Sequence, residues 1–176
     1  MVNHNCCFID KQFFDDNSEL THILDSDDPN KQCNRTYTFV TVDTNHLKFF
    51  IPLRNNLGAP VRKYGRIGHP IPSQKRPNAG LDYRHAILVP SQYVKPHQNG
   101  VLPNSQCILL RKHYRAIKSE FSAYVRKYIN AVNKGRLERD SLFADSSLVN
   151  YNEQLGIAHF NPNVETKVIS IEEEPA

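Results

Sequence analysis

The chain has 176 residues and a formal net charge of +4, with no Trp, one Met, four Cys and eight His. That length fits one domain with a single moderate core, which must rest on Phe, Tyr, Ile, Leu and Val. No run of about 18 apolar residues occurs, so no helical membrane span is expected, and no charged segment followed by an apolar one opens the chain, so no secretory signal is expected either.

Cysteine and histidine spacing narrows the chemistry. Cys6 and Cys7 are adjacent, and Cys33 and Cys107 stand alone without a C-x-x-C pair. This fits reduced thiols in a cytoplasmic protein better than a disulfide framework or a metal site. The histidines form no H-E-x-x-H or H-x-H motif, so neither a protein-held catalytic metal nor any other cofactor is expected.

In chain order, Cys7 to Phe14 reads as a short first strand. Ser18 is a candidate N-cap for a short helix through Leu24, and Asp25 to Asn34 is a polar loop. From Arg35 to Val42 the residues alternate, with Tyr37, Phe39 and Thr41 on one side and Thr38, Val40 and Val42 on the other. Asp43 to His46 forms a turn, and Leu47 to Leu53 returns, with Pro52 near the end where a missing N–H does least harm. A long loop with Pro60, Pro70, Pro72 and Pro77 follows. Tyr83 to Val89 reads as a third strand, ended by Pro90, and Cys107 to Leu110 is either a strand or a helix start.

From about Arg111 the helical period is clear: Tyr114, Ile117, Phe121, Tyr124, Val125, Tyr128, Ile129 and Val132 fall at steps of three and four. Gly135 is a natural stop. The opposite face carries Lys112, Arg115, Lys118, Arg126, Lys127 and Lys134, either as a solvated surface or as a ridge for RNA. Asp145-Ser146-Ser147 caps a last helix through Leu155. A β-rich half followed by helices predicts an α+β fold, a twisted barrel-like antiparallel sheet with helices packed on one side. Residues 1–158 are expected to form one domain, and residues 159–176 an acidic, partly flexible tail.

Charge is distributed unevenly. Thr44 to Ser119 holds thirteen Lys and Arg against one acidic residue, Asp82. The first 43 residues are acidic on balance, and the tail carries Glu172-Glu173-Glu174. A central block this basic suits polyphosphate, because contacts to phosphate supply most non-specific nucleic-acid affinity. Two segments bound its core: Phe49 to Asn56, and Lys75 to Arg84. The loop between them carries Arg62, Lys63, Arg66 and His69 and no acidic residue.

The run Phe49 to Asn56, the segment Pro77 to Val89, and the long helix followed by Ser147-Leu148 to Leu155 resemble the toxins of type III toxin–antitoxin systems. These are the ToxN and AbiQ group, and more closely the TenpN branch. The resemblance covers about Phe8 to Ile157 and rests on the order and spacing of all three segments. It implies a PemK/MazF-like β-barrel with added helices. It also implies a metal-independent endoribonuclease held inactive by a small repeated antitoxin RNA, often in closed toxin–RNA assemblies. One departure stands out. Where many ToxN relatives carry Pro-Leu-Thr-Ser followed by Lys, this chain has Pro52-Leu53-Arg54-Asn55-Asn56, so a hydroxyl role does not carry over.

Metal-free RNA cleavage needs a base, cations for the phosphorane and an acid for the leaving oxygen. Arg54 and Arg84 suit the phosphorane oxygens. Asp82 is a candidate base, or it orients Arg84 or another cation. Lys75 or His69 is a candidate acid. Asn55 and Asn56 can position bases or the 2′-hydroxyl. Arg62, Lys63, Arg66 and Arg76 are candidate phosphate contacts, and Tyr64 and Tyr83 candidate base contacts. The rival readings are a non-catalytic RNA-binding protein using the same surface and a DNA-binding regulator, which the absence of a helix-turn-helix pattern disfavours.

Overall fold

The computed structural model describes residues 6–59, 61, 67–96 and 101–157. Arg62, Lys63, Tyr64, Arg66 and the tail from residue 158 onward lie outside the described residues. The strands are β1 (Cys6–Ile9), β2 (Tyr37–Thr41), β3 (Lys48–Arg54), β4 (Gly68–Pro70), β5 (Gly80–Asp82), β6 (Ile87–Leu88) and β7 (Val94–Pro96). They form one antiparallel sheet in the order β4-β5-β3-β2-β1-β7, with β6 also paired to β3. The sheet is not closed. Among the described residues its edges are β4 and β7, so the expected barrel is not shown.

The β2–β3 hairpin forms as its alternation predicts, pairing Tyr37 with Pro52 through to Thr41 with Lys48. A short 3-10 turn at Thr44–His46 joins the strands, and the Lys48 ammonium sits 3.9 Å above the Phe39 ring. Strand β1 is shorter than expected. Asp10 ends it and caps helix α1 (Lys11–Asp16), accepting from the Gln12 amide. The expected helix over Glu19 to Leu24 is absent. That stretch is irregular, with His22 and Asp25 at φ values of 57 and 53°, and it is held instead by distant partners such as the Thr21–Asn150 hydrogen bonds. Helix α2 (Pro29–Cys33) occupies the expected loop, capped by Asp28.

The expected strand Tyr83 to Val89 is broken. Strand β3 pairs with β6 at Phe49–Phe50 and with β5 at Leu53–Arg54. Between these pairings, Tyr83–His85 leaves the ladder as a 3-10 turn. The partner strand supplies a reason. The Leu53 amide donates to Thr36 on the β2 side, so by alternation the Pro52 nitrogen faces the other edge, where it has no hydrogen to donate. A continuous ladder would lack a bond at that point. The turn takes the chain away from it, and the Ser147 hydroxyl donates to the Ala86 carbonyl at 2.5 Å.

Helix α3 runs from Asn104 to Asn133, taking in Cys107 to Leu110, and covers one face of the sheet. Its period places Ile117, Phe121, Tyr124, Val125, Tyr128 and Val132 in the core. Phe121 meets Phe49 and Tyr83 edge-on or tilted, with centroids 5.3 and 5.5 Å apart. Gly135, at φ 59°, completes the stop. Its amide bonds the Val132 carbonyl, and that of Arg136 bonds the Ala131 carbonyl, a Schellman arrangement. The expected last helix forms as a 3-10 segment, Ser147–Tyr151, capped by the Ser146 side chain. The four cysteines are free. Among the described residues, no helix is long and apolar enough to cross a membrane.

Close packing at the β4–β5 edge depends on Gly80. A Cβ there would run into the His69 carbonyl and the Leu57 side chain. Gly80→Ala is therefore expected to destabilise the protein by about 1–3 kcal/mol, read as a lowered urea midpoint at unchanged slope. A midpoint equal to wild type would refute this reading of the edge.

Candidate active site

The break in the strand builds the site. Asp82 is the last residue of β5 and the N-cap of the 3-10 turn, so its side chain points back at the turn it begins. Its side chain is wholly buried. Oδ1 accepts from the Arg84 amide at 3.2 Å and from Arg84 Nε at 3.0 Å. Oδ2 accepts from Arg84 Nη2 and from Arg54 Nη1, both at 2.8 Å. Register explains the second arginine. Arg54 pairs with Gly80, which makes it the diagonal same-face neighbour of Asp82.

The four acceptor positions of the carboxylate are thus filled by N–H donors. Burial alone would raise the Asp82 carboxyl, but the Arg84 hydrogen bonds, the charges of His85 and Arg84 and the Arg54 bond outweigh it and hold the group below the usual aspartate range. Of the two roles open in the sequence, this geometry favours a holder of cations over a proton acceptor. The arginines differ in availability. Arg84 is 9% exposed and spends two nitrogens on Asp82, with Nη1 4.0 Å from Asp145. Arg54 is 31% exposed and can present its remaining N–H groups to an anion.

His85 was not singled out by sequence reasoning. Its Nε2 lies 3.7 Å from Asp82 Oδ2, and its Nδ1 is 2.6 Å from the His22 carbonyl oxygen. The cue is its place directly after Asp82-Tyr83-Arg84, inside the expected strand Tyr83 to Val89.

A second cluster lies on the opposite face of the β4–β5 ladder. His69 pairs with Leu81, and Gly68 with Asp82, so alternation puts His69 on the other side from Asp82. Its Nδ1 is 2.9 Å from Glu120 Oε2, and its Nε2 is 3.0 Å from His113 Nδ1. The Tyr83 hydroxyl donates to the same Glu120 oxygen at 2.8 Å. Glu120 and His113 come from α3, seven residues or two turns apart. Both nitrogens of His69 are therefore engaged away from the Asp82 face, which does not favour it as the acid there. Tyr83 is fully buried and presents no ring on which a base can stack. Burial, then Glu120, pushes its phenol far up.

The remaining candidates lie on open surface. Lys75 and Arg76 are exposed in the turn closed by the Ser73–Arg76 backbone bonds at 3.0 and 3.1 Å, and no contact joins Lys75 to the Asp82 cluster among the described residues. Asn55 and Asn56 are exposed just beyond β3, and Asn56 accepts from the Gly58 amide. Asn55 and Arg76 line a groove of about 580 Å³ with Lys31, Asn34, Arg35 and Leu53. The groove shares Asn34 and Val101 with a neighbouring pocket of about 400 Å³ that includes Lys11 and Lys95. Asp25 holds Arg35 and Lys31 in ion pairs. Burial raises the Cys6 and Cys7 thiols to about 11 and 12, which argues against a thiolate nucleophile there. Among the described residues, no three His, Cys, Asp or Glu side chains are placed to hold a metal ion.

The fold so defined, an open antiparallel sheet with one long helix across it, has a solved counterpart. The chain is similar to the structure of AbiQ, a lactococcal anti-phage endoribonuclease belonging to the type III toxin–antitoxin system, with a TM-score of 0.57 at 18% identity, over 86% of this chain and 96% of that one. No protein-family profile and no curated protein matches the sequence.

Arg84→Ala would leave the buried carboxylate with Arg54, the more exposed of its two arginine partners, alone. The expected cost is about 3–5 kcal/mol, the scale for removing one member of a buried pair. The loss should be read by denaturant unfolding at pH 7. A variant as stable as wild type would show that Arg84 does not hold this site together.

Proposed function

We propose that this chain is a metal-independent, sequence-specific endoribonuclease, the toxin of a type III toxin–antitoxin system of the ToxN/AbiQ group, acting in growth arrest or phage defence. The observation that carries this reading is the pair of guanidiniums set on the wholly buried Asp82 carboxylate, in a fold similar to that of an endoribonuclease. A guanidinium fixed before substrate arrives stabilises developing phosphorane charge without reorganising. Arg54 supplies that contact, Arg84 and Asp82 position it, and Asn55 and Asn56 contact the adjoining nucleotides. Attack by the 2′-oxygen leaves a 2′,3′-cyclic phosphate and a 5′-hydroxyl. The absence of metal-ligand spacing in the sequence supports a metal-free route.

Incubated with a mixed RNA pool in EDTA, the protein should cleave at a short recurrent motif and leave those ends. Arg54→Ala should fold and lose on the order of a hundredfold in rate. Dependence on added magnesium, or 5′-phosphate ends, would overturn the proposed mechanism. Binding without any cleavage would favour the non-catalytic RNA-binding alternative.

The expected partner is a small repeated antitoxin RNA that occludes the site, in a toxin–RNA assembly. Its path would follow Arg76, Lys75 and the amide-lined groove, with Arg62, Lys63, Tyr64 and Arg66 contributing from the neighbouring loop. Neutralising phosphates releases counterions, so affinity should fall steeply with salt. Changing Arg62, Lys63 and Arg66 together to Ala should weaken binding of one antitoxin repeat and reduce the salt slope by up to about three. Equal slopes for wild type and variant would remove this loop from the interface.

A further inference from the structure

We propose that His85 is the general base of the cleavage reaction, with its Nε2 accepting the proton of the attacking 2′-hydroxyl. This rests on the ribonuclease reading above and assigns a step that the Asp82 carboxylate, with its acceptor positions filled, is poorly placed to perform.

The geometry has three parts. First, the ring is oriented and its tautomer set. Nδ1 lies 2.6 Å from the His22 carbonyl oxygen, a partner that only accepts, so Nδ1 carries the hydrogen and Nε2 keeps its lone pair. The His22 backbone that supplies this carbonyl sits at φ 57°, an uncommon conformation for a residue other than glycine. Second, Nε2 is close to the phosphate cation. It lies 3.7 Å from the same Asp82 oxygen that accepts from Arg54 Nη1 at 2.8 Å. A phosphodiester on the exposed side of Arg54 therefore brings its ribose within reach of His85. Third, the side chain is 12% exposed rather than sealed in the core.

The charges facing His85 are Asp82 from β5, Arg84 from its own turn and Arg54 from β3, with the His22 carbonyl behind it. Burial is the largest influence and, with the two arginines, holds the ring below the usual histidine range, although Asp82 and the His22 bond pull the other way. That direction favours the neutral imidazole, the form that accepts a proton. In the step itself, Nε2 takes the 2′-hydroxyl proton and the 2′-oxygen attacks phosphorus. The bond from phosphorus to the 5′-oxygen breaks, and the departing oxygen takes a proton from water.

The test uses the full-length protein and an RNA oligonucleotide carrying a site that wild type cleaves. His85→Asn keeps an amide donor at the position of Nδ1, so the bond to His22 is retained while the base is removed. The expected result is wild-type RNA binding, a cleavage rate lower by a hundredfold or more, and loss of the acidic limb of the pH–rate profile. In wild type that limb should have its midpoint below about 6.5, the ordinary histidine value. His85→Ala should show the same defect and recover rate as imidazole is added, a rescue that a merely structural role would not give. An unchanged rate and pH limb in folded His85→Asn overturns the assignment. If that variant does not fold, failure of imidazole to rescue His85→Ala overturns it. A wild-type protein that binds RNA without cutting it overturns the ribonuclease reading and the base with it. Cleavage by wild type alongside an unaffected variant overturns the base alone.

Discussion

A carboxylate with no solvent exposure is the constraint on which this site depends. Burying an unpaired charge costs several kcal/mol even after relaxation, so the fold must deliver donors to Asp82. It delivers four, three from Arg84 and one from Arg54. Hydrogen bonds to a charged acceptor contribute roughly 1.5–3 kcal/mol each when buried, which is the scale needed to offset that cost. The cations are then fixed by a group that cannot move without becoming unpaired. Preorganisation here is a consequence of burial.

The local backbone makes this possible. Had Tyr83 to Val89 continued as a strand beside β3, Arg84 would share the face of Asp82 two residues on, at a distance set by the pleat, and its amide would belong to the ladder. The 3-10 turn folds Arg84 back over the carboxylate and leaves its amide free for Oδ1. Pro52, whose missing N–H faces the gap, makes the break inexpensive. A substitution restoring a donor at Pro52 would remove one reason for the turn without touching any side chain in the cluster.

Periodicity carried much of the fold in the sequence. The hairpin and the long helix announce themselves because their burial patterns repeat over many residues, and Gly135 marks the stop by a conformation that it adopts readily. The misread stretches lack that redundancy. Ser18 to Leu24 has a cap-like residue and some apolar ones, but its shape is set by contacts such as Thr21 to Asn150, 129 residues away. Tyr83 to Val89 is apolar enough to read as a strand, and the interruption depends on a proline thirty residues earlier. The candidate site was legible in part for the same reason. Arg54, Asp82 and Arg84 stood out as charges beside apolar runs. His85 had no pattern of its own, and His113 and Glu120 belong to neither the apolar nor the basic set on their helix, where nothing local says that a β-strand histidine will reach them.

The two polar clusters divide the work of one short ladder. Register places Arg54, Gly80, Asp82 and Gly68 on one face and Leu53, Leu81 and His69 on the other. Tyr83 continues that second face to Glu120 on α3. The first face gathers cations around a buried anion and leaves Arg54 accessible. The second ties the edge strand to the long helix through His69, Glu120 and His113, with the Tyr83 ring packed on Phe121. A glycine at position 68 or 80 lets the strands approach closely enough for both sets of contacts, since a Cβ at either would meet a backbone oxygen of the other strand. Loosening the helix-facing cluster would shift the strand that ends in Asp82. The positions of Arg54 and His85 therefore depend on packing they do not touch, and the edge of the sheet, rather than either cluster alone, is the unit that must stay rigid to hold them.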